Sequence, residues 1–203
     1  MTLSKRLFDI ALSLLLMVLL SPVIACIGVL IWLRDGSPVF YVSERMKTDK
    51  IAFSLIKFRT MSHATSDSGV SGGDKSGRIT RTGRFLRRTR LDELPQLWNI
   101  LRGDMSFVGP RPPLRTYVER FPDLYADVLK CRPGVTGLAT LIFHRHEEML
   151  LAPCKDAETT DEVYARRCVP RKARLDMIYA ARRSFCFDLF LVFQTVRKLL
   201  KRG

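Results

Sequence analysis

The sequence has few of the residues that form disulfides or bind metal ions in small domains. It holds three histidines, and its five cysteines are odd in number, widely scattered and without C-x-x-C spacing. This pattern supports neither a disulfide framework nor a structural zinc site, and it fits a reducing cytosol. The chain also has no internal repeat and no helix-turn-helix, RNA-recognition or zinc-finger signature. At this length we expect one globular unit with an appended segment.

Acidic residues are scarce relative to basic ones. Lysine and arginine number 34 against 20 aspartates and glutamates, which gives a net charge of +14. An excess of this size indicates an anionic partner such as phosphates, nucleic acid or an acidic lipid surface. Charge alone does not choose among these partners.

One long uncharged run covers the 24 residues from Ile10 to Leu33. As a helix it would extend roughly 36 Å, enough to cross a hydrocarbon core of about 30 Å. Ser21-Pro22 divides it into two equal halves. Because proline removes a backbone donor and favours a bend, such a helix could also enter and leave by the same face. Basic residues flank both ends, so the spanning and re-entrant courses both remain open on these grounds.

The same region imitates a lipoprotein signal peptide. A basic pair, Lys5-Arg6, precedes the apolar stretch, and Val23–Cys26 resembles a cleavage site before a cysteine. The apolar run nevertheless continues past Cys26 as far as Leu33, where an exported lipoprotein would normally become polar.

Local patterns predict several further elements. The runs Val39–Ser43 and Ala52–Phe58 predict a β-hairpin, and the glycine- and serine-rich residues 67–77 predict a loop. That loop is either a flap over a ligand or a plain surface loop. The remaining expectations are a helix over 91–101, a stiff turn at 109–113, a surface helix over 114–130, a loop running into a short strand at 131–140, and two helices after Ala173. The last of these helices, Phe185–Arg202, has an apolar stripe and a basic end, which suits a membrane interface or a core position.

Six arginines and no acid lie within residues 78–90, directly before Asp92 and Glu93. The arginine run by itself is typical of a basic face against lipid headgroups. Its single aromatic residue, Phe85, gives little support to base stacking. Arginines beside a carboxylate are also what phosphate transfer requires, because a guanidinium binds phosphate oxygens bidentately.

The acidic pair has two interpretations. Asp92 could cap a helix while Glu93 complements the helix dipole. Alternatively both carboxylates belong to a reactive site. Helical neighbours lie about 100° apart, so the second interpretation requires an irregular backbone at this point.

The segment 91–112, LDELPQLWNILRGDMSFVGPRP, closely resembles the signature of the bacterial sugar transferases, the monotopic phosphoglycosyl transferases. Three further family motifs occur in the expected order: KFRTM at 57–61, GRFLR at 83–87 and RPGVTG at 132–137. The resemblance covers essentially the whole chain.

The resemblance implies an α+β, mainly helical fold in two parts. Residues 1–36 would form a re-entrant membrane helix bent at Ser21 and Pro22. Residues 37–203 would form a compact cytoplasmic domain with a small β-hairpin, surrounded by interfacial amphipathic helices. The protein would be monotopic, on the cytoplasmic face of the inner membrane.

Family members transfer a sugar phosphate, usually from a UDP-sugar, to undecaprenyl phosphate and release UMP, which is the first membrane step of glycan assembly. The resemblance assigns Asp92 as the nucleophile of an aspartyl phosphosugar intermediate and as a Mg²⁺ ligand. It assigns Glu93 as the acidic partner of Asp92, and it implies Mg²⁺ as the cofactor.

Further positions match substrate-binding residues of the family. Arg87 is the candidate phosphate contact in the basic run, while Arg84, Arg88 and Arg90 could face lipid only. Arg111 contacts phosphate or orients the acidic pair, and Lys57 and Arg59 support the same site.

One region departs from the common pattern, because the family's Asn-Gly-Arg is absent after RPGVTG. Arg145 could replace the missing arginine in nucleotide binding. His144 and His146 lack a third nearby ligand, so we expect them at the surface or facing substrate rather than on a metal.

Two other hypotheses come from different classes of protein. One is a non-catalytic membrane scaffold that binds anionic lipid, and the other is nucleic-acid binding at the membrane, which rests on charge alone. The expected partners are a UDP-sugar, undecaprenyl phosphate and anionic lipids of the inner membrane, without nucleic acid. The donor sugar, the glycan and the oligomeric state, a homodimer included, stay open.

Overall fold

A computed structural model describes residues 2–62, 70 and 73–200. The chain is mainly helical, 66% by residue, with little sheet, as the sequence predicted. The helices are α1 (Leu3–Asp35), α2 (Arg81–Thr89), α3 (Gln96–Arg102), α4 (Arg115–Arg120), α5 (Pro122–Val128), α6 (Leu138–Leu151), α7 (Ala157–Val163), α8 (Val169–Arg182) and α9 (Phe185–Leu200). The strands are β1 (Phe40–Met46), β2 (Ala52–Phe58), β3 (Ser106–Val108) and β4 (Gly134–Thr136). Short helical turns lie at Gly73–Arg78, Leu91–Glu93 and Tyr164–Cys168.

Helix α1 includes Pro22 within its length. Pro22 has no N–H to donate to the carbonyl of Val18, four residues earlier. The hydroxyl of Ser21 donates to that carbonyl instead, at 2.8 Å, so the Ser-Pro pair leaves no orphaned acceptor there. In the described part of the chain, α1 is the one helix long and apolar enough to cross a membrane.

Both ends of α1 pack against the rest of the chain, while the residues around Ser21-Pro22 are exposed. Near the start, Lys5 forms an ion pair with Asp188 of α9. Near the end, Ile31 is fully buried in a cluster with Phe58 of β2. Between them, Val18 is 75% exposed. The two ends of α1 are therefore anchored to one body of described residues.

The hairpin is antiparallel and pairs Phe40 with Phe58 at one end and Met46 with Ala52 at the other. This confirms the predicted second strand, and the first strand extends three residues beyond the predicted Ser43. Asn99 of α3 is fully buried and continues the hydrogen bonding at the edge of β2. Its amide donates to the Ser54 carbonyl at 2.8 Å and accepts from the Ile56 N–H at 3.1 Å. These bonds hold α3, and the turn before it, beside the end of β2.

Strands β3 and β4 form a parallel pair that joins the GPRPP and RPGVTG motifs. The N–H of Gly109 donates to the Thr136 carbonyl at 2.9 Å, and the N–H of Gly134 donates to the Pro110 carbonyl at 2.8 Å. A Cβ at Gly109 would lie 2.1 Å from the Arg132 carbonyl oxygen. The glycines therefore allow the two backbones to touch, and this contact supports the segment that carries Arg111.

The second half of the chain corrects one prediction and confirms another. The single surface helix over 114–130 is wrong: Phe121 leaves the helical region before Pro122, as residues preceding proline tend to do. The resulting helices α4 and α5 bury Tyr117 and Tyr125 in the main core. The loop predicted to run into a short strand within 131–140 is confirmed, because β4 follows it and helix α6 then begins at Leu138.

Helix α9 is described to Leu200, and residues 201–203 lie outside the described part. Leu191 on its inner face is buried, whereas Phe185, Leu189 and Val196 of the predicted stripe are 42–48% exposed. Val192 of the same stripe packs against the buried cluster that contains Leu191, so the stripe is partly exposed and partly packed.

Candidate active site

The acidic pair sits on an irregular turn that follows α2. Arg90 adopts a left-handed conformation with φ 61°, and Leu91–Glu93 form a single 3₁₀ turn. Asp92 and Glu93 are both buried at 8% exposure and line the same cavity, whose volume is about 480 Å³. The irregular backbone therefore allows the side chains of two consecutive residues to face one cavity.

One end of this cavity is strongly cationic. Arg87 and Arg90 reach it from α2 and its terminus, Lys57 from β2, and Arg111 from the proline-rich turn. The Nε of Arg87 donates to the Thr60 hydroxyl at 2.9 Å, which orients the guanidinium. Three family motifs thus contribute to one wall, and Arg90, expected to face lipid only, lies in the site.

Two guanidinium groups hold Glu93. Its Oε1 accepts from Nη1 of Arg90 and from Nη2 of Arg111, each at 3.2 Å. Burial would raise the pKa of Glu93, but the charges of Arg111, Arg90 and Lys57 outweigh it and lower the pKa to about 2. Glu93 is therefore ionised at neutral pH.

Asp92 has a different environment. Its Oδ1 is buried without a hydrogen-bond partner in the described part of the chain. Burial and the charge of Glu93 raise its pKa, against the pull of Lys57, Arg90 and Arg87. The capping interpretation is wrong, because the N-cap residue of α3 is Pro95 and no side chain, that of Asp92 included, caps this helix. Asp92 is left with a lone pair free for a ligand or for bond formation.

The unpartnered Asp92 oxygen also tests whether a magnesium ion fits here. No group of three or more histidine, cysteine, aspartate or glutamate side chains is placed to hold a metal among residues 2–62, 70 and 73–200. Mg²⁺ commonly takes one or two carboxylates together with substrate phosphates and water. The unpartnered carboxylate of Asp92 in a cationic cavity fits that mode, and Asp92 would be the protein ligand.

Two predicted substrate residues lie apart from the cavity lining. The guanidinium of Arg59 donates to the carbonyls of residues 35–37, at the end of α1. Arg145 is exposed on α6, about 100° around the helix from His144, which does line the cavity. A direct role of Arg59 or Arg145 in substrate binding stays a prediction.

Sequence reasoning missed several lining residues. Arg45 reaches the cationic end, and its Nε is buried without a partner among the described residues. Arg45 and Lys57 fall on one face of the hairpin, so strand alternation was an available signal. Helix α6, not predicted, presents Thr140, His144, Glu147, Glu148 and Leu151 at helical spacing. No local sequence pattern predicted the residues that line the far end of the cavity, namely Tyr125, Tyr164, Lys172 and Asp176.

The predicted flap, residues 69–77, falls partly outside the described residues. Residues 63–69, 71 and 72 lie outside the described residues. Val70 and Ser76, on either side of the gap, line the cavity.

Known proteins resemble this chain over most of its length. A family model described as "Bacterial sugar transferase" matches residues 1–202. The chain is 34% identical over 198 residues to the "Uncharacterized sugar transferase EpsL" of Bacillus subtilis, covering 97% of this chain and 87% of that protein. It is 34% identical over 198 residues to the "UDP-glucose:undecaprenyl-phosphate glucose-1-phosphate transferase" of Escherichia coli, covering 96% of this chain. It is 33% identical over 202 residues to the "UDP-N-acetylgalactosamine-undecaprenyl-phosphate N-acetylgalactosaminephosphotransferase" of Aeromonas hydrophila, covering 97% of this chain. The chain spans 39% and 43% of the length of these last two relatives.

Proposed function

Because the chain belongs to the bacterial sugar transferase family, we propose that it is an undecaprenyl-phosphate sugar phosphotransferase. It takes a sugar phosphate from a UDP-sugar, passes it to undecaprenyl phosphate and releases UMP. The observation that carries the proposal is one buried, unpartnered carboxylate, Asp92, inside a cavity lined by guanidinium and ammonium groups.

Two displacements at one phosphorus account for the reaction. In the first, an Asp92 oxygen attacks the sugar-bearing phosphorus of the donor, the bond between the two phosphates breaks, and UMP leaves. In the second, a phosphate oxygen of undecaprenyl phosphate attacks the same phosphorus, the aspartyl bond breaks and Asp92 is regenerated. A compact site can thus serve a soluble and a lipid substrate in turn.

The cations have distinct tasks in this mechanism. Arg111 and Arg90 are tied to Glu93, which fixes their guanidinium groups, and fixed donors stabilise charge that develops in the transition state. Lys57, Arg87 and Arg45 complete the phosphate-binding wall. A bound Mg²⁺ on Asp92 would neutralise diphosphate charge and ease departure of the nucleotide.

The proposal includes a monotopic position on the cytoplasmic face of the inner membrane. Both ends of α1 contact the same body of residues, through Lys5 and Ile31, which supports a helix that returns to the side it entered. The exposed apolar face of α9 and the exposed Arg84 and Arg88 of α2 suit a surface of anionic lipid.

The test is a donor screen with purified protein, Mg²⁺, a panel of UDP-sugars and polyprenyl phosphate, following UMP release. We expect turnover of at least one donor, and a loss of at least about 1,000-fold in Asp92→Asn, because the attacking oxygen is removed. The matched control is Asp127→Asn, an exposed aspartate on α5 paired only with Lys130. If no donor is turned over while the protein still binds lipid, the proposal is wrong and a non-catalytic scaffold role is favoured.

A further inference from the structure

The catalytic cavity has a second end that the mechanism above does not use. Its lining there comes from α5, α8 and the turn between α7 and α8, and includes Tyr125, Tyr164, Lys172 and Asp176. Asp176 is 5% exposed, and its Oδ1 is buried without a hydrogen-bond partner in the described residues. A buried, unpaired carboxyl group costs stability in proportion to the hydrogen bonds it lacks.

The cation nearest to Asp176 is already engaged. Lys172 lies one helical turn earlier on α8, and its ammonium donates to both carboxylate oxygens of Glu147 at 2.9 and 3.1 Å and to the Tyr164 hydroxyl at 3.1 Å. An ammonium group has three N–H donors, so these bonds use all of them. Asp176 is therefore presented to the cavity without a donor from its own neighbourhood. Burial raises the pKa of Asp176 to about 7, against the charge of Lys172.

The chemistry of this end selects the kind of group that would occupy it. A carboxyl group without donors around it accepts hydrogen bonds from ligand O–H or N–H groups and disfavours phosphate. Tyr125, which is 7% exposed, supplies an aromatic wall. A sugar ring offers neighbouring hydroxyl donors and apolar C–H faces. The uracil edge, by contrast, offers a single N–H donor between two carbonyl acceptors, so it satisfies a carboxylate less fully than two neighbouring hydroxyl groups do.

We propose that Asp176 binds a pair of neighbouring hydroxyl groups on the sugar-nucleotide donor while the diphosphate occupies the cationic end. This inference rests on the proposed function and adds a recognition residue to it. Two parts of the donor carry such hydroxyls, namely the transferred sugar and the ribose. The shared chemistry is a diol, and the experiment separates the two sources.

The test compares Asp176→Asn with wild type and with the Asp127→Asn control in the UMP-release assay. The asparagine keeps the shape but replaces one acceptor by a donor. We expect the KM for the donor to rise about 10- to 100-fold, the range for lost hydrogen bonds to a charged group, with kcat changed less than about threefold. UMP, which contains the ribose but not the transferred sugar, is then used as an inhibitor. An unchanged inhibition constant assigns the diol to the sugar, and a parallel rise assigns it to the ribose.

The melting temperature distinguishes recognition from structure. Replacing an unpaired buried carboxyl group should leave the melting temperature of Asp176→Asn equal to or above that of wild type. An unchanged KM in folded Asp176→Asn, or an equal rise in Asp127→Asn, overturns the inference. If Asp176→Asn does not fold, Asp176→Ser is measured in the same way. Failure of the proposed function gives a different result, namely no turnover by wild type.

Discussion

At the scale of single residues, Asp92 and Glu93 show how adjacent carboxylates acquire different properties. Glu93 accepts from two arginines and has a pKa lowered to about 2. Asp92 keeps an unpartnered oxygen and a raised pKa. The arginines therefore stabilise Glu93 as an anion in a fixed position, whereas Asp92 keeps an oxygen that is available for reaction. Sequence alone indicated unequal roles, but the partners of each carboxylate come from the folded chain.

Lys57 gives a prediction about pH. Burial, and then the charge of Arg111, lower the pKa of Lys57 from its usual 10.5 to about 8, so its positive charge is lost as pH rises through about 8. If that charge binds phosphate, kcat/KM should fall on the alkaline side with a midpoint near pH 8. In Lys57→Arg the charge persists, and the alkaline limb should move upward by at least about one pH unit, since arginine stays protonated.

The measurement is the pH profile of kcat/KM, which reports groups of the free enzyme. Lys50→Arg, an exposed lysine in the hairpin turn, is the control and should keep the wild-type profile. An alkaline limb that is identical in Lys57→Arg and wild type would contradict the assignment.

At the scale of elements, local patterns predicted what is stabilised locally. The hairpin was found because its alternation and polar turn lie within one short stretch. The β3–β4 pair was not, because each strand has three residues and depends on a partner far along the chain. Helix α6 was missed because its start, after Gly137, follows from the end of β4 rather than from a capping signal.

The packing of α2 depends on Gly83. A Cβ at this position would lie 2.0 Å from the Thr60 carbonyl oxygen, and Arg87 on the same helix hydrogen-bonds Thr60. Gly83→Ala should therefore lower the free energy of unfolding by about 1–3 kcal/mol, as overpacking does. It should also reduce activity by displacing Arg87.

Denaturant unfolding in detergent and the UMP-release assay measure the two effects. Gly77→Ala is the matched control, because nothing lies within 4 Å of a Cβ there and its φ is not left-handed. Equal stability of the two variants would show that α2 does not need the close approach.

At the scale of the whole molecule, the course of α1 decides where the site lies relative to the membrane. Ser21 and Pro22 stand at its exposed middle, and the Ser21 hydroxyl satisfies the carbonyl that Pro22 frees. Replacing both by alanine should restore the backbone hydrogen bond to the Val18 carbonyl that Pro22 cannot make, and so remove the tendency of α1 to bend there. We expect this change to favour a spanning course and to move the N-terminus to the far side.

Cysteine accessibility measures this change in intact cells with an impermeant reagent. Thr2→Cys is built in a background where the exposed Cys26 and Cys186 are serines. It should be labelled from outside only when Ser21 and Pro22 are replaced, while Lys50→Cys stays unlabelled in both forms. Outside labelling of Thr2→Cys with the native Ser-Pro pair would refute the re-entrant course.

The sequence by itself determined the apolar N-terminal segment and the hairpin through composition and periodicity, and the family through contiguous motifs. The mainly helical class followed from the family resemblance. Only the tertiary structure decided which side chains meet. It brought Arg90 into the site, directed Arg59 to the end of α1, and placed Asp176 in the same cavity as Asp92. The physical reason is that a side chain's partners depend on packing between distant segments, here through Asn99 and the contacting glycines, which no local pattern encodes.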